Sequence, residues 1–256
     1  MVEGAPTLAI DGSGCATITL NRPHHLNRLH REDLLALRGH LQQLRTAPAV
    51  RLLVLTATGR AFCAGFNLDE LGQADAALQD PQLFEHTVDA LEALPLPTVA
   101  RLNGSVYGGA TDLALACDFR IGVQGMELRM PAAHLGLHYY PSGLQRYVSR
   151  LGLAAAKRLF LLAPTLDAAE LLRIGYLDAA PEPEALDAQV DELVTRLLAG
   201  APLAVNGMKQ SLNEIARGDS NTGRIREREA VCAASADLRE GLLAFNERRA
   251  PRFSGH

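Results

Sequence analysis

The first half of this chain alternates short apolar segments with longer amphipathic ones. The short segments are rich in β-branched residues and predict strands, whereas apolar residues at three- and four-residue spacing in the longer ones predict helices. Strands that alternate with helices are joined by crossover connections and lie parallel, so the pattern predicts an α/β core. The predicted strands cover residues 16–20, 51–57, 98–102 and 119–123, and the predicted helices cover 32–45 and 81–94.

From about residue 142 the pattern becomes helical. The predicted helices cover residues 153–162, 167–174, 184–198, 202–216 and 224–246, with proline or aspartate at starts and glycine at ends. We expect one α/β domain over residues 1–200, followed by a helical extension over residues 201–256. The extension is amphipathic, and its apolar face either packs against its own core or is buried by a second copy of the chain.

Composition excludes several classes of protein. Hydrophobic residues make up 48% of the 256 residues and the net charge is −4, which predicts neither nucleic-acid nor anionic-membrane binding. No apolar run approaches the ~18–20 residues that a membrane-spanning helix needs. Four cysteines without a CxxC pair favour reduced thiols over disulfides or a zinc site. The first ten residues do not resemble a signal or transit peptide, so we expect a cytoplasmic protein.

Two glycine-containing segments have the character of a ligand site. Residues 54–68 read VLTATGRAFCAGFNL and residues 102–118 read LNGSVYGGATDLALACD. Small residues let a ligand approach the main chain, and the first N–H groups of a helix lack internal acceptors. Ordinary turns explain the same glycines, and Asp112 has a plain explanation as a first-turn acid that favours the helix dipole. Neither segment matches a nucleotide-phosphate motif.

Four stretches together resemble one family. They are NRPHHLNRL at 21–29, GRAFCAGFNL at 59–68, NGSVYGGATDLALACD at 103–118 and ADLREGLLAFNERRAPRF at 236–253. They occur in order across nearly the whole chain and are similar to the signatures of the enoyl-CoA hydratase/isomerase (crotonase) superfamily.

The resemblance implies a fold and a chemistry. The fold would be a spiral of ββα turns whose C-terminal helical part helps to form homotrimers, often stacked as hexamers. The ligand would be an acyl-CoA thioester, with no cofactor besides the coenzyme A of the substrate. The N–H groups of Phe66 and Gly109 would form an oxyanion hole for the thioester carbonyl, where an enolate develops negative charge.

The resemblance also implies contacts to coenzyme A. His25, Leu26, Ala64 and Leu68 fall in segments that approach its adenine end. Arg248 matches a basic residue that a neighbouring subunit lends to the phosphates of coenzyme A. A solvated helix charge is the alternative for Arg248.

The sequence departs from the family where protons are handled. Hydratases of this family use two glutamates. At the first position this chain has Asp112, whose side chain is about 1 Å shorter, and at the second it has Ala132, which cannot move a proton. His134 is a substitute only if residues 131–135 are extended, because residues two apart then point the same way. We expect Tyr140 to line the acyl pocket.

The sequence therefore predicts an enzyme that hydrates or isomerises an enoyl-CoA, with Asp112 as acid/base. A single carboxylate makes isomerisation chemically easier than hydration. Two alternatives remain open because of Ala132. One is a thioester hydrolase or C–C lyase of the same superfamily, and the other is a homologue that binds acyl-CoA without catalysis.

Overall fold

The computed structural model describes residues 3–70, 80 and 82–256. The strands are β1 Gly4–Ile10, β2 Cys15–Asn21, β3 Leu52–Ala57, β4 Ala61–Cys63, β5 Thr98–Leu102, β6 Ser105–Tyr107, β7 Phe119–Gly122, β8 Glu127–Arg129 and β9 Leu166–Asp167. The α-helices are α1 Arg31–Arg45, α2 Leu83–Glu92, α3 Gly109–Leu115, α4 Pro141–Lys157, α5 Ala168–Arg173, α6 Leu186–Leu198, α7 Pro202–Arg217, α8 Thr222–Ala234 and α9 Ala236–Glu247. The helix predicted over 81–94 corresponds to α2, and residue 81 lies outside the described residues.

The first sheet contains the four strands that the sequence predicts. Its order is β1-β2-β3-β5-β7, and every pair except β1–β2 is parallel. Five of the six residues of β3 are buried, as expected for a parallel strand that is covered on both faces. This covering explains why LLVLTA reads as a continuous apolar run rather than an alternating one.

A second, smaller sheet has the order β4-β6-β8-β9. The consecutive pairs β3/β4, β5/β6 and β7/β8 each give one strand to each sheet. A helix follows β4 and β6, so the chain winds as a spiral of ββα turns. The predicted α/β spiral is confirmed, although sequence patterns did not reveal the three-residue strands of this sheet, which are too short to show a period.

The C-terminal helices begin at Pro202, next to the predicted boundary. Lys209 of α7 is buried, where its Nζ donates to the Leu96 carbonyl at 2.8 Å and pairs with Asp118 at 2.7 Å. The single helix predicted over 224–246 is wrong. Ser235 has an extended backbone that divides it into α8 and α9, and its hydroxyl caps α9 by accepting the Leu238 N–H at 3.0 Å.

Helices α7, α8 and α9 expose apolar side chains. Examples are Met208, Leu212, Ile215, Val231, Leu242 and Phe245. Phe245 is 81% exposed in the single chain, which is unusual for a large aromatic side chain. Within the described residues, no helix combines the length and the apolar character that crossing a bilayer requires.

Candidate active site

The two glycine segments meet at the carboxyl ends of β4 and β6 in the second sheet. Strands β4 and β6 are parallel neighbours, so the bends that follow them lie side by side. Gly65 has φ +95°, and a Cβ atom at this position would lie 2.8 Å from the Tyr107 carbonyl oxygen and 3.5 Å from the Gly109 nitrogen. A glycine is therefore required at residue 65 both by its backbone conformation and by the close approach of the second segment.

Two amides at this junction have no acceptor in the part of the chain that the structure describes. Among the described residues, neither the Phe66 N–H nor the Gly109 N–H donates a hydrogen bond, while their neighbours do. The Asn67 N–H donates to the Leu29 carbonyl at 2.8 Å, and the Gly108 N–H donates to the last carbonyl of β8 at 2.9 Å. Both residues are partly exposed, so these two unpaired donors, one of them the first N–H of α3, are available to a ligand oxygen.

Aromatic side chains lie around this junction. Phe84 of α2 packs on Gly109 so closely that a Cβ atom there would lie 2.7 Å from the Phe84 Cζ. The Phe84 ring centroid is 6.0 Å from that of Phe66 and 6.0 Å from that of Tyr140, and Tyr140 stacks on Tyr139 at 4.3 Å. Tyr140 therefore belongs to an aromatic wall next to Gly109, and its place in an acyl pocket stays a prediction.

Asp112 lies in α3, one turn after Gly109, and is fully buried. Its Oδ2 accepts hydrogen bonds from the Tyr140 hydroxyl and from Arg146 Nη1, the latter at 2.7 Å. Its Oδ1 is buried and has no partner among the described residues. Burial raises the pKa of Asp112, and Arg146 and the Tyr140 hydrogen bond oppose that rise only in part. A carboxylate of raised pKa with a free oxygen is suited to accept a proton.

Arg146 is the centre of a buried ionic cluster that the sequence did not reveal. Its side chain is 0% exposed and pairs with Asp112 and Asp89 at 2.7 Å and with Glu92 at 3.1 Å. Burial alone lowers the pKa of Arg146, but Asp112 and Glu92 outweigh it and raise that pKa. The guanidinium thus stays charged and fixes the Asp112 carboxylate in position. In the sequence, the only indication of this cluster is that the arginine of LQRY lies at a position similar to that of the family.

The start of α3 is held by two further phenols. Tyr147 shares a hydrogen bond with the Thr111 hydroxyl, and Tyr176 donates to the Thr111 carbonyl at 2.7 Å. The Thr111 hydroxyl also bonds the Gly108 carbonyl at 2.6 Å. These buried contacts fix the orientation of the helix that carries Gly109 and Asp112.

The segment in which the family signature has its second glutamate forms a helical turn in this chain. Ala132 is buried and begins a 3-10 helix that runs over Ala132–Leu135, whereas His134 is exposed. With three residues per turn, side chains two positions apart point about 120° away from each other. The extended conformation on which the role of His134 depended is absent from this segment, so the prediction for His134 loses its geometric basis.

Four of the residues predicted to contact coenzyme A lie in adjoining segments. The Ala64 N–H donates to the Leu26 carbonyl at 2.9 Å, and His25 and Leu68 lie exposed at the flanks of these two segments. Arg248 is separate, because it lies exposed at the end of α9 with φ +55°. No contact among the described residues joins Arg248 to the other four, so its predicted role needs a neighbouring subunit.

The fold matches that of a known class of protein. A structure of an enoyl-CoA hydratase/carnithine racemase from Magnetospirillum magneticum has a TM-score of 0.92 at 25% identity, covering 100% of this chain and 97% of that one. The spiral of two sheets, with glycine bends at one edge, defines this chain as a crotonase-fold protein.

Sequence comparisons then identify the family. The model of the enoyl-CoA hydratase/isomerase family matches residues 11–256. A crotonyl-CoA hydratase from Syntrophomonas wolfei is 32% identical over 93% of this chain and 94% of its own length. A short-chain-enoyl-CoA hydratase from Clostridium acetobutylicum is 30% identical, over 91% of this chain and 92% of its own length. The chain belongs to the enoyl-CoA hydratase/isomerase family, which confirms the resemblance found in its four motifs.

Proposed function

We propose that this protein acts on an enoyl-CoA thioester and stabilises its enolate with the N–H groups of Phe66 and Gly109. The observation that carries the proposal is the pair of unpaired amides at the contact between Gly65 and Gly109. Donors that are already aimed at a developing oxyanion need no reorganisation, and each contributes about 10²–10³ in rate. The reaction uses no cofactor besides the coenzyme A of the substrate, which the segments with His25, Leu26, Ala64 and Leu68 bind.

Asp112 is the acid/base in this mechanism. Its free Oδ1 accepts the proton, and burial makes this carboxyl a stronger proton acceptor than an exposed aspartate. In isomerisation, one carboxylate removes a proton from the α-carbon of a 3-enoyl-CoA and returns it to the γ-carbon of the same dienolate. Isomerisation therefore requires no proton-transfer group at the position of Ala132, whereas hydration requires a second proton-transfer group.

The first test is turnover on a panel of short enoyl-CoA thioesters, since two relatives are named crotonyl-CoA hydratase and short-chain-enoyl-CoA hydratase. We expect isomerisation of a 3-enoyl-CoA or hydration of a 2-enoyl-CoA. Binding of acyl-CoA without turnover of any member would refute the enzyme and support the non-catalytic alternative. Release of free coenzyme A would support the hydrolase instead.

The active form is a homotrimer or a hexamer in this proposal, located in the cytoplasm. The exposed apolar faces of α7, α8 and α9 support it, since a monomer rarely leaves such faces in water. Light scattering should give three or six times the chain mass, and Leu242→Glu on α9 should lower it. The neighbouring subunit would also bring Arg248 to the phosphates of coenzyme A. A monomeric mass would exclude this role for Arg248.

A further inference from the structure

One phenol connects the buried carboxylate of the site to its aromatic wall. The Tyr140 hydroxyl donates to Asp112 Oδ2, and its ring contacts Phe84, which covers Gly109. Tyr140 keeps partial exposure, while the neighbouring phenols of Tyr139 and Tyr147 are buried. Of the two described side chains that bond to the Asp112 carboxylate, Tyr140 is the partly exposed one, and its ring contacts the ring that packs on Gly109.

The Tyr140 hydroxyl carries its proton at neutral pH. Burial raises the pKa of Tyr140, and the nearby negative charge of Asp112 raises it further. A protonated phenol held at a fixed position is an acid as long as its conjugate base can be stabilised. The Arg146 guanidinium provides that stabilisation once Asp112 has taken up a proton, since it lies 2.7 Å from Asp112 Oδ2, the oxygen that the phenol bonds.

We propose that the Tyr140 hydroxyl is the second proton-transfer group of this site, working with Asp112 in place of the carboxylate that Ala132 lacks. The assignment rests on the enolate chemistry proposed above and adds a reaction to it. With two such groups the chain hydrates 2-enoyl-CoA thioesters, whereas Asp112 alone suffices for isomerisation.

Each atom is accounted for in the hydration step. Asp112 Oδ1 removes a proton from water as the water oxygen bonds to the β-carbon, and the C=C electrons move toward the thioester oxygen between the Phe66 and Gly109 amides. The enolate collapses as its α-carbon takes the proton of the Tyr140 hydroxyl. The proton gained by Asp112 then passes to the Tyr140 oxygen, and one water has been added across the double bond.

The charges of the site favour this exchange. Before the step the trio of Asp112, Tyr140 and Arg146 consists of a carboxylate, a phenol and a guanidinium. After it, the trio consists of a carboxylic acid, a phenolate and the same guanidinium, so the net charge is unchanged. A buried site tolerates such a transfer better than one that creates new charge.

The test compares hydration of a 2-enoyl-CoA with isomerisation of a 3-enoyl-CoA in Tyr140→Phe. This variant keeps the ring that packs on Phe84 and Tyr139 and removes the hydroxyl. Hydration should fall about 10²-fold or more, the scale of losing a general acid, while isomerisation stays within about tenfold of wild type. Tyr107→Phe is the matched control, because its hydroxyl bonds Glu127 and not Asp112, and it should keep both rates close to wild type.

Each outcome decides a different question. Unchanged hydration in Tyr140→Phe overturns the assignment, and so does an equal loss of both reactions, which indicates a structural role only. A wild-type protein that isomerises but does not hydrate also overturns it and leaves the proposed function in place. A wild-type protein inactive in both reactions refutes the proposed function itself. Thermal unfolding of each variant verifies that it is folded.

Discussion

Gly65→Ala should reduce turnover far more than it reduces stability. The new Cβ would lie 2.8 Å from the Tyr107 carbonyl oxygen, so the two segments must separate by about 0.6 Å to reach the 3.4 Å of ordinary contact. This separation moves the Phe66 amide away from the Gly109 amide. A misplacement of about 1 Å at a reacting centre costs about 10²-fold, so we expect kcat/KM to fall by about 10²-fold.

The backbone strain of this substitution needs a control of its own. Gly175 has φ +74°, and a Cβ atom at that position would meet nothing within 4 Å. Alanine at a left-handed position costs roughly 1–2 kcal/mol in either place. Gly175→Ala should therefore lower the melting temperature but keep kcat/KM on the enoyl-CoA substrate. If both variants lose activity to the same small extent, the amides are not the centre of catalysis.

Two further predictions concern the buried charges. Asp112→Asn should lower turnover by about 10²-fold or more, and unchanged turnover in the variant would exclude Asp112 as the base. In the wild type, the apparent pKa of the acidic limb of kcat/KM against pH should lie above 3.8, the ordinary pKa of aspartate. Burial raises the pKa of Glu92, but Arg146 and Arg150 outweigh it and lower that pKa. The stability that ionised Glu92 contributes is therefore complete above its ordinary pKa of 4.5 and is lost as the pH falls through the lowered value. Glu92→Gln should lower the free energy of unfolding, measured in urea, by about 3 kcal/mol at pH 7 and by less at acidic pH, because it leaves buried cations unpaired. A loss of stability that does not change with pH would contradict this.

The sequence by itself determined the family, four of the five strands of the first sheet and the two glycine bends. Each of these depends on residues that are close in the chain. Strand β3 is apolar throughout because both of its faces are covered, and GRAFCAGFNL and the segment with GGATDL keep the small residues that a close backbone approach requires. The sequence also identified Asp112 and Ala132 as positions where this chain departs from the family signatures that it resembles.

Local patterns failed where a short segment had two conformations available. Residues 131–135 form a helical turn instead of the extended segment that His134 needed, and one predicted helix divides at Ser235. The serine that caps α9 is a signal that the sequence contains, but the amphipathic pattern continues across it and conceals it.

Only the tertiary structure decided what surrounds the Asp112 carboxylate. Tyr140 lies 28 residues and Arg146 34 residues further along the chain, and Glu92 reaches Arg146 from another helix. No spacing rule relates residues so far apart, because their contacts are set by how α2, α3 and α4 pack. The same packing buries the carboxylate, leaves one of its oxygens free and places a phenol on the other.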